Sequence, residues 1–384
     1  MSTIIQQLTD LSTAINNGDE HGVRNIVTTT PELLTNIGVY HIFCHAVIKN
    51  DVEKARLLIE VGGMKLTPLL IYSSEHPMIS CARSNDPKFV EMLVKSGEDI
   101  EGGGRAGSRI TTPLLSAALH GKSDNVKKLL ELGANQNAVD SSGRNLFECA
   151  ILGNVETLKV LHEKLPHKLD ETSRQSHKTP LSFALSTPGA RIECVKYLLE
   201  HSNALSTIED PLHMVAWNEY LSEAIPAVVE ACKKIGMTVD AKNDFGTTAL
   251  MEACYDDSGK DKKMKSVKKL VECGANVNLA DNAGKTVLMH AAEYTSELLS
   301  NTYSQVNREL VKFLIDHNAD VLAQDNDGKT VLDYCKDPVC LQMLAEVKQA
   351  QTQSKINASI ARLQDEGLSC PQKRFPKMVI TKKA

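Results

Sequence analysis

Aromatic side chains are scarce: they make up 4% of the 384 residues, with a single tryptophan. A core built on large rings is therefore not expected, and the interior must be filled by Leu, Val, Ile and Ala. Long apolar runs are missing as well. None approaches the roughly 20 residues of a membrane-spanning helix, so no membrane span is expected. The opening Met1-Ser2-Thr3-Ile4-Ile5-Gln6-Gln7 has neither a basic nor an apolar leader region, and no secretory signal is expected. Charge of one sign is not in excess. A net charge of −5, spread along the chain, gives no reason to expect nucleic acid as a partner. The ten cysteines are scattered rather than spaced as a disulfide framework, and they read as reduced, buried thiols of a cytoplasmic protein.

Signatures of chemistry are absent too. There is no Gly-x-Ser-x-Gly, no His-Glu-x-x-His, no Walker lysine and no kinase motif set. Cys335 and Cys340 lack a second Cys/His pair at zinc spacing. His41, Cys44 and His45 cluster on one expected helix without the further ligands a metal needs. Gly102-Gly103-Gly104 sits in a glycine-rich loop, but without the Lys-Ser/Thr of a phosphate cradle it reads as a long flexible finger. No cofactor and no metal are expected.

What the chain has instead is a repeated stretch, clearest from Cys273 to Ala292. Gly274 suits the left-handed residue that closes a helix. Asp281-Asn282-Ala283-Gly284 carries the short polar residues and glycine of a tight turn. Thr286 is placed to cap a following helix, in which Ala291 and Ala292 allow a neighbouring helix to approach closely. The helix-start signal recurs at Thr112-Pro113-Leu114, Thr179-Pro180-Leu181, Asp210-Pro211-Leu212-His213, Thr248-Ala249-Leu250 and Thr330-Val331-Leu332. Thr112 and Thr179 are 67 residues apart (179 − 112), two periods of roughly 33, with Asn145-Leu146 between them. Helix-end signals at Gly133-Ala134-Asn135, Gly274-Ala275-Asn276 and Asn318-Ala319-Asp320 keep the same phase.

These motifs resemble the ankyrin repeat, with its GA-x-x-N, D-x-x-G-x-T-x-L and Ala-Ala signals. The resemblance covers roughly residues 8 to 345. It implies an all-α solenoid of stacked helix–turn–helix units joined by β-hairpin-like fingers. The expected organisation is an array over residues 1–345 with about nine to ten repeats, degenerate at both ends. A capping helix follows over 346–367, with Ile356, Ile360 and Leu363 at helix spacing, and then a flexible basic tail over 368–384. Leu8, Leu11 and Ile15 with Val23, Ile26 and Val27 predict the first helix pair. Asp210 is expected to replace threonine as a cap, and His213 to brace the hairpins. Insertions are expected from Asp256 to Ser266 and from Thr295 to Asn307. The basic run at 260–269 reads as a solvated loop and helix face.

The resemblance further implies a non-catalytic scaffold that binds another protein through the concave surface made by finger tips and late positions of the first helices. A monomer is expected. Counted from the cap residues, Trp217 falls seven after Asp210, Tyr255 seven after Thr248, and Tyr294 eight after Thr286. Phe245 is placed at a finger tip, where an apolar ring has no core to enter. With Lys285 and Lys329, which follow finger glycines, these four are the candidate partner-binding residues. Two other readings exist. Degenerate arrays with short tails also resemble host-directed effectors of intracellular bacteria and large viruses. An enzyme recruiting Cys254, Asp256, Asp257 and His290 from the insertions is the third.

Overall fold

The computed structural model describes residues 2–64, 76–102, 104–106, 109–254, 262–293 and 301–365. Its contacts divide the chain into two units, Met1–Thr238 and Val239–Ala384.

The first unit is a series of helix pairs: α1 (Ser2–Asn16) with α2 (Glu20–Thr29), α3 (Ile37–Ile48) with α4 (Val52–Arg56), and α5 (Pro77–Ala82) with α6 (Lys88–Lys95). Then come α7 (Pro113–Leu119) with α8 (Ser123–Glu131), α9 (Leu146–Gly153) with α10 (Val155–Lys164), α11 (Pro180–Ser186) with α12 (Ile192–His201), and α13 (Pro211–Trp217) with α14 (Ile225–Lys234). The packing makes two parallel rows. First helices stack on first helices (α5 on α7, α7 on α9, α9 on α11, α11 on α13), and second helices on second helices (α8 on α10, α10 on α12, α12 on α14). Each pair cannot bury its apolar face alone, so stacking supplies the core.

Local chemistry explains where the helices begin. Thr112 Oγ1 accepts the Leu115 amide at 3.3 Å and Thr179 Oγ1 the Ser182 amide at 3.2 Å, each with proline at the first helical position. Asn145 and Glu148 form a reciprocal capping box, at 2.9 and 2.7 Å. Asp210 departs from this expectation. Its carboxylate caps no amide; the backbone there (φ −129°, ψ 61°) is not extended, and Oδ1 instead lies 3.7 Å from His213 Nδ1. Helices end as the motif predicts: Gly133, with φ +90°, donates to Leu130 and Ala134 donates back to Leu129.

The glycine-rich segment ahead of α7 is a short antiparallel ribbon, β1 (Gly104–Ala106) with β2 (Arg109–Thr111), pairing Gly104 with Thr111. The expected finger is therefore a paired hairpin that runs straight into the Thr112 cap.

The second unit holds α15 (Ala249–Glu252) with α16 (Lys262–Glu272), α17 (Val287–Glu293) with α18 (Asn301–Asp316), and α19 (Val331–Tyr334) with α20 (Pro338–Asp365). Here α15 packs on α17, α17 on α19, and α18 on α20. Both expected insertions are shorter than the sequence suggests. Helix α16 already starts at Lys262 and α18 at Asn301, so residues 262–266 and 301–307 are extra N-terminal turns of second helices rather than loop. Thr286 also differs from expectation. Its hydroxyl is buried with no hydrogen-bond partner, although its backbone forms the same kind of bridge, to Ala280, as that of the capping Thr248 to Lys242.

Helix α20 starts earlier than the residue-346 boundary and meets the stack through its N-terminal half. Cys340 and Leu344 are buried, and Gln351 bonds both Ala319 O and the Val321 amide. Its start is latched by Asp337, which caps the Cys340 amide at 2.8 Å and takes both Nε and Nη2 of Arg308. The Arg308 guanidinium holds the Asp337 carboxyl below its ordinary range. Ile356 and Ile360, expected on a packed face, are instead exposed, as is every residue from 352 to 362.

Candidate functional site

Three fingers of the second unit share one construction. An Asx side chain opens each turn and accepts the amides two and four residues on. Asn243 Oδ1 takes Phe245 and Thr247 at 3.0 and 3.1 Å, and Asp281 Oδ1 takes Ala283 and Lys285 at 2.8 and 2.9 Å. Asp325 Oδ1 takes Asp327 and Lys329, both at 2.9 Å. Glycines at Gly246, Gly284 and Gly328 (φ +73°, +81° and +78°) allow the left-handed step that L side chains resist.

Successive fingers are then fastened backbone to backbone. The Asn282 amide donates to Phe245 O at 3.2 Å and the Asn326 amide to Ala283 O at 3.0 Å. The side chains of the same two asparagines donate to Asp244 O and Asn282 O, each at 3.0 Å. Gly246 and Gly284 are required here for space as well as conformation: a Cβ on Gly284 would lie 2.7 Å from the Asn326 amide nitrogen, and one on Gly246 2.7 Å from that of Asn282.

Behind the fingers, His290 is buried and its Nε2 meets Asp281 Oδ2 at 2.9 Å, tying α17 to its own finger. Burial lowers the imidazole below its ordinary pKa, although the Asp281 carboxylate pulls the other way. This is a bracing contact of the kind the sequence assigned to His213.

The finger scaffold leaves Phe245 in solvent, 76% exposed. It stands beside a cleft of about 460 Å³ lined by Asp244, Thr247, Glu252, Asp281 and Ala283. Both candidate lysines are engaged within the unit. Lys285 pairs with Glu293 at 3.0 Å and lies 4.4 Å from the centre of the Tyr334 ring, whose hydroxyl in turn bonds Asp325. Lys329 is exposed and pairs with Asp327 at 3.3 Å. Tyr255 and Tyr294 lie outside the described residues.

In the first unit, Trp217 ends α13 with 66% of its surface exposed. The next residue fixes it there. Asn218 is buried, its Nδ2 donating to Leu185 O at 3.2 Å and Thr187 O at 3.1 Å in the preceding repeat. One period of the same device recurs where Asn154 Nδ2 reaches Gly121 O at 2.8 Å. Tyr220, 49% exposed and three residues beyond Trp217, is a second surface ring that repeat counting missed, because it sits in the 3₁₀ turn Glu219–Ala224 rather than at a first-helix position.

Two of the four residues of the enzymatic reading fall among the described residues. Cys254 is buried and His290 is held by Asp281, while Asp256 and Asp257 lie outside the described residues. Elsewhere burial pushes the thiols of Cys149 and Cys194 up to about 12 and that of Cys232 to about 11, the opposite of an activated nucleophile. Among the described residues no helix is long and apolar enough to cross a membrane.

The sequence model of the family described as "Ankyrin repeats (3 copies)" matches residues 78–170, 114–210, 212–300 and 267–355, together more than half of the chain. A solved structure, described as the crystal structure of human ASB11 ankyrin repeat domain, is 20% identical, with matching parts covering 71% of this chain and 97% of that chain at a TM-score of 0.36. No curated protein matches.

Proposed function

Since the chain belongs to the ankyrin-repeat family, whose repeats are in general protein-interaction modules, we propose that it is a non-catalytic scaffold binding a partner protein through exposed aromatic anchors. One observation carries this reading. In a chain so poor in rings, Trp217 and Phe245 are left 66% and 76% exposed, each at the end of a rigidly bonded element. Rings held in place lose little freedom on binding, which is why aromatic anchors concentrate interface energy.

Lys285, half-buried against Glu293 and Tyr334, orders the finger rather than meeting a partner, whereas exposed Lys329 sits within reach of one. A monomer in a reducing compartment such as the cytoplasm completes the proposal; among the described residues no disulfide joins any of the nine cysteines, in keeping with that compartment.

Proximity labelling in cells, followed by quantitative pull-down with wild type and Phe245→Ala, tests the scaffold. Affinity for the captured partner should fall about thirtyfold, since an anchor is worth about 2 kcal/mol. Undiminished capture by Phe245→Ala and by Trp217→Ala alike would remove both anchors from the reading.

A further inference from the structure

Among the described residues, the cleft beside Phe245 carries negative charge that no cation pairs. Asp281 is spent inside the fold, its Oδ1 on two amides and its Oδ2 on His290. Asp244 is exposed and makes no ion pair among the described residues. Among the described residues Glu252 receives only long contacts, 3.4 Å from Thr247 Oγ1 and 3.5 Å from Asn243 Nδ2. The neighbouring cations are turned elsewhere: Lys242 Nζ donates to Ala280 O at 2.7 Å, and Lys285 pairs with Glu293. The cleft thus offers two carboxylates next to an exposed ring. Its complement is an extended peptide that sets cations beside an apolar side chain.

The chain carries such a peptide itself. Residues 367–384 contain Lys373, Arg374, Lys377, Lys382 and Lys383 and no acid, with Phe375 among them. Pro376 disfavours a helical backbone at Phe375 and suits the segment to an extended groove. Reach is sufficient. Lys355 of α20 pairs with Asp320 at 3.0 Å, and Asp320 lies five residues before Asp325, a span of at most about 17 Å. The Asn326 and Asn282 amides then bridge, finger to finger, to Phe245. The cleft is therefore on the order of 30 Å from Lys355, α20 runs about 15 Å further to Asp365, and the ten residues from there to Phe375 can extend about 35 Å, the whole segment about 60 Å.

We propose that the basic segment 368–384 docks in cis into the cleft of Asp244, Phe245 and Glu252, placing Arg374 and its neighbouring lysines on the carboxylates and Phe375 on Phe245. The scaffold then carries its own competitor: a partner entering at Phe245 must displace the segment. This regulatory consequence rests on the proposed function, while the docking itself does not. Tethering puts the segment at an effective concentration on the order of 1 mM, so a peptide dissociation constant of about 100 μM gives roughly ten docked chains for each undocked one.

The test compares the full chain with a variant ending at Gly367, after thermal melts have shown both to be folded. Hydrogen exchange of the finger amides at residues 243–248 should accelerate several-fold on truncation. A synthetic peptide of residues 368–384 should restore protection and bind the truncated chain at about 100 μM in low salt, weakening several-fold at 0.5 M NaCl. Asp244→Asn with Glu252→Gln should weaken that binding at least fivefold, as should Phe245→Ala; Lys373→Ser with Arg374→Ser and Lys377→Ser should reproduce truncation in the full chain. Unchanged finger exchange on truncation overturns the proposal, and so does peptide binding indifferent to the cleft substitutions. Protection that vanishes on dilution overturns docking in cis in favour of a second copy. A partner that still requires Phe245 while the peptide does not bind removes this inference and leaves the scaffold standing.

Discussion

Fingers in the two units solve one problem in different ways. In the second unit, consecutive fingers are joined by backbone amides and by the paired asparagines Asn282 and Asn326. The first unit starts from the same turn, with Asp140 Oδ1 accepting Ser142 and Arg144 at 2.8 and 3.0 Å. The next finger departs from it: Ser173 replaces the Asx residue, and His177, at φ +55°, takes a left-handed position near the turn's end. What joins these two fingers is side chain, through Gln175 facing Gly143 and Lys168 bonded to Asn137, and a cavity of about 310 Å³ remains between them. An asparagine after the turn-opening aspartate is thus more than a turn former. It is the fastener to the previous repeat.

The contrast predicts first how far damage spreads. Leu288 is buried in α17, and Leu288→Ala should cost about 2–5 kcal/mol. In a stack where each repeat touches only its neighbours, hydrogen-exchange protection should fall through the second unit while amides around Leu57 in the first change little. Uniform loss along the chain would mean one cooperative core and would erase the distinction between the units.

A second pair of variants isolates the fastening. Gly284 and Gly328 have nearly the same left-handed backbone, but a Cβ at Gly284 strikes the Asn326 amide while at Gly328 it meets open space. Both Ala variants carry the conformational cost of about 1–2 kcal/mol. Gly284→Ala should exceed Gly328→Ala by a further 1–3 kcal/mol or so, the usual range for overpacking. Equal melting shifts would show that the fingers can slide apart freely.

Much of this was readable before any coordinates. Asp-x-x-Gly fixed the turns, Gly133 and Gly274 the helix ends, and Thr112, Thr179 and Thr248 the caps, because each depends on contacts within a few residues. Most of what escaped depends on the neighbouring repeat or on exposure to it, Asp210 being a local exception. Lys285 read as a free surface cation, yet its partners are Glu293 and a ring 49 positions on. Asp210 has a cap's spacing but turns toward His213. Ile356 and Ile360 have a buried stripe's spacing, but α20 outruns the helices it packs on. Periodicity reports what a helix offers and is silent on whether a neighbour is there to take it. The exposed Phe245 was legible for the same reason as the turns, since its position follows from the finger alone; the charge around it was not.

The side-chain half of the fastening can be removed by itself. Asn282→Ala with Asn326→Ala deletes two finger-to-finger bonds and should cost about 2 kcal/mol, near 1 for each. Gln175→Ala in the first unit, where no such bond is made by the side chain among the described residues, should stay within about 0.5 kcal/mol. Denaturant melts of the two variants would reverse the comparison if Gln175 proved the costlier loss.

The smallest stability effect is expected where the two units agree. Trp217 and Phe245 are both exposed, one at a helix end pinned by Asn218 and the other at a finger tip pinned by Asn243. Neither pin uses the ring, so the ring makes few contacts that folding would miss. Trp217→Ala should therefore shift stability by only about 0.5 kcal/mol, as surface substitutions do. The lone indole also reports on itself: its emission should sit at long wavelength and be readily quenched by acrylamide. Partner binding that falls about thirtyfold while the melt is unmoved would assign Trp217 to an interface. A shielded, blue-shifted indole whose removal unfolds the repeats would make it a packing residue, and the two units would then differ in their surfaces as they do in their fingers.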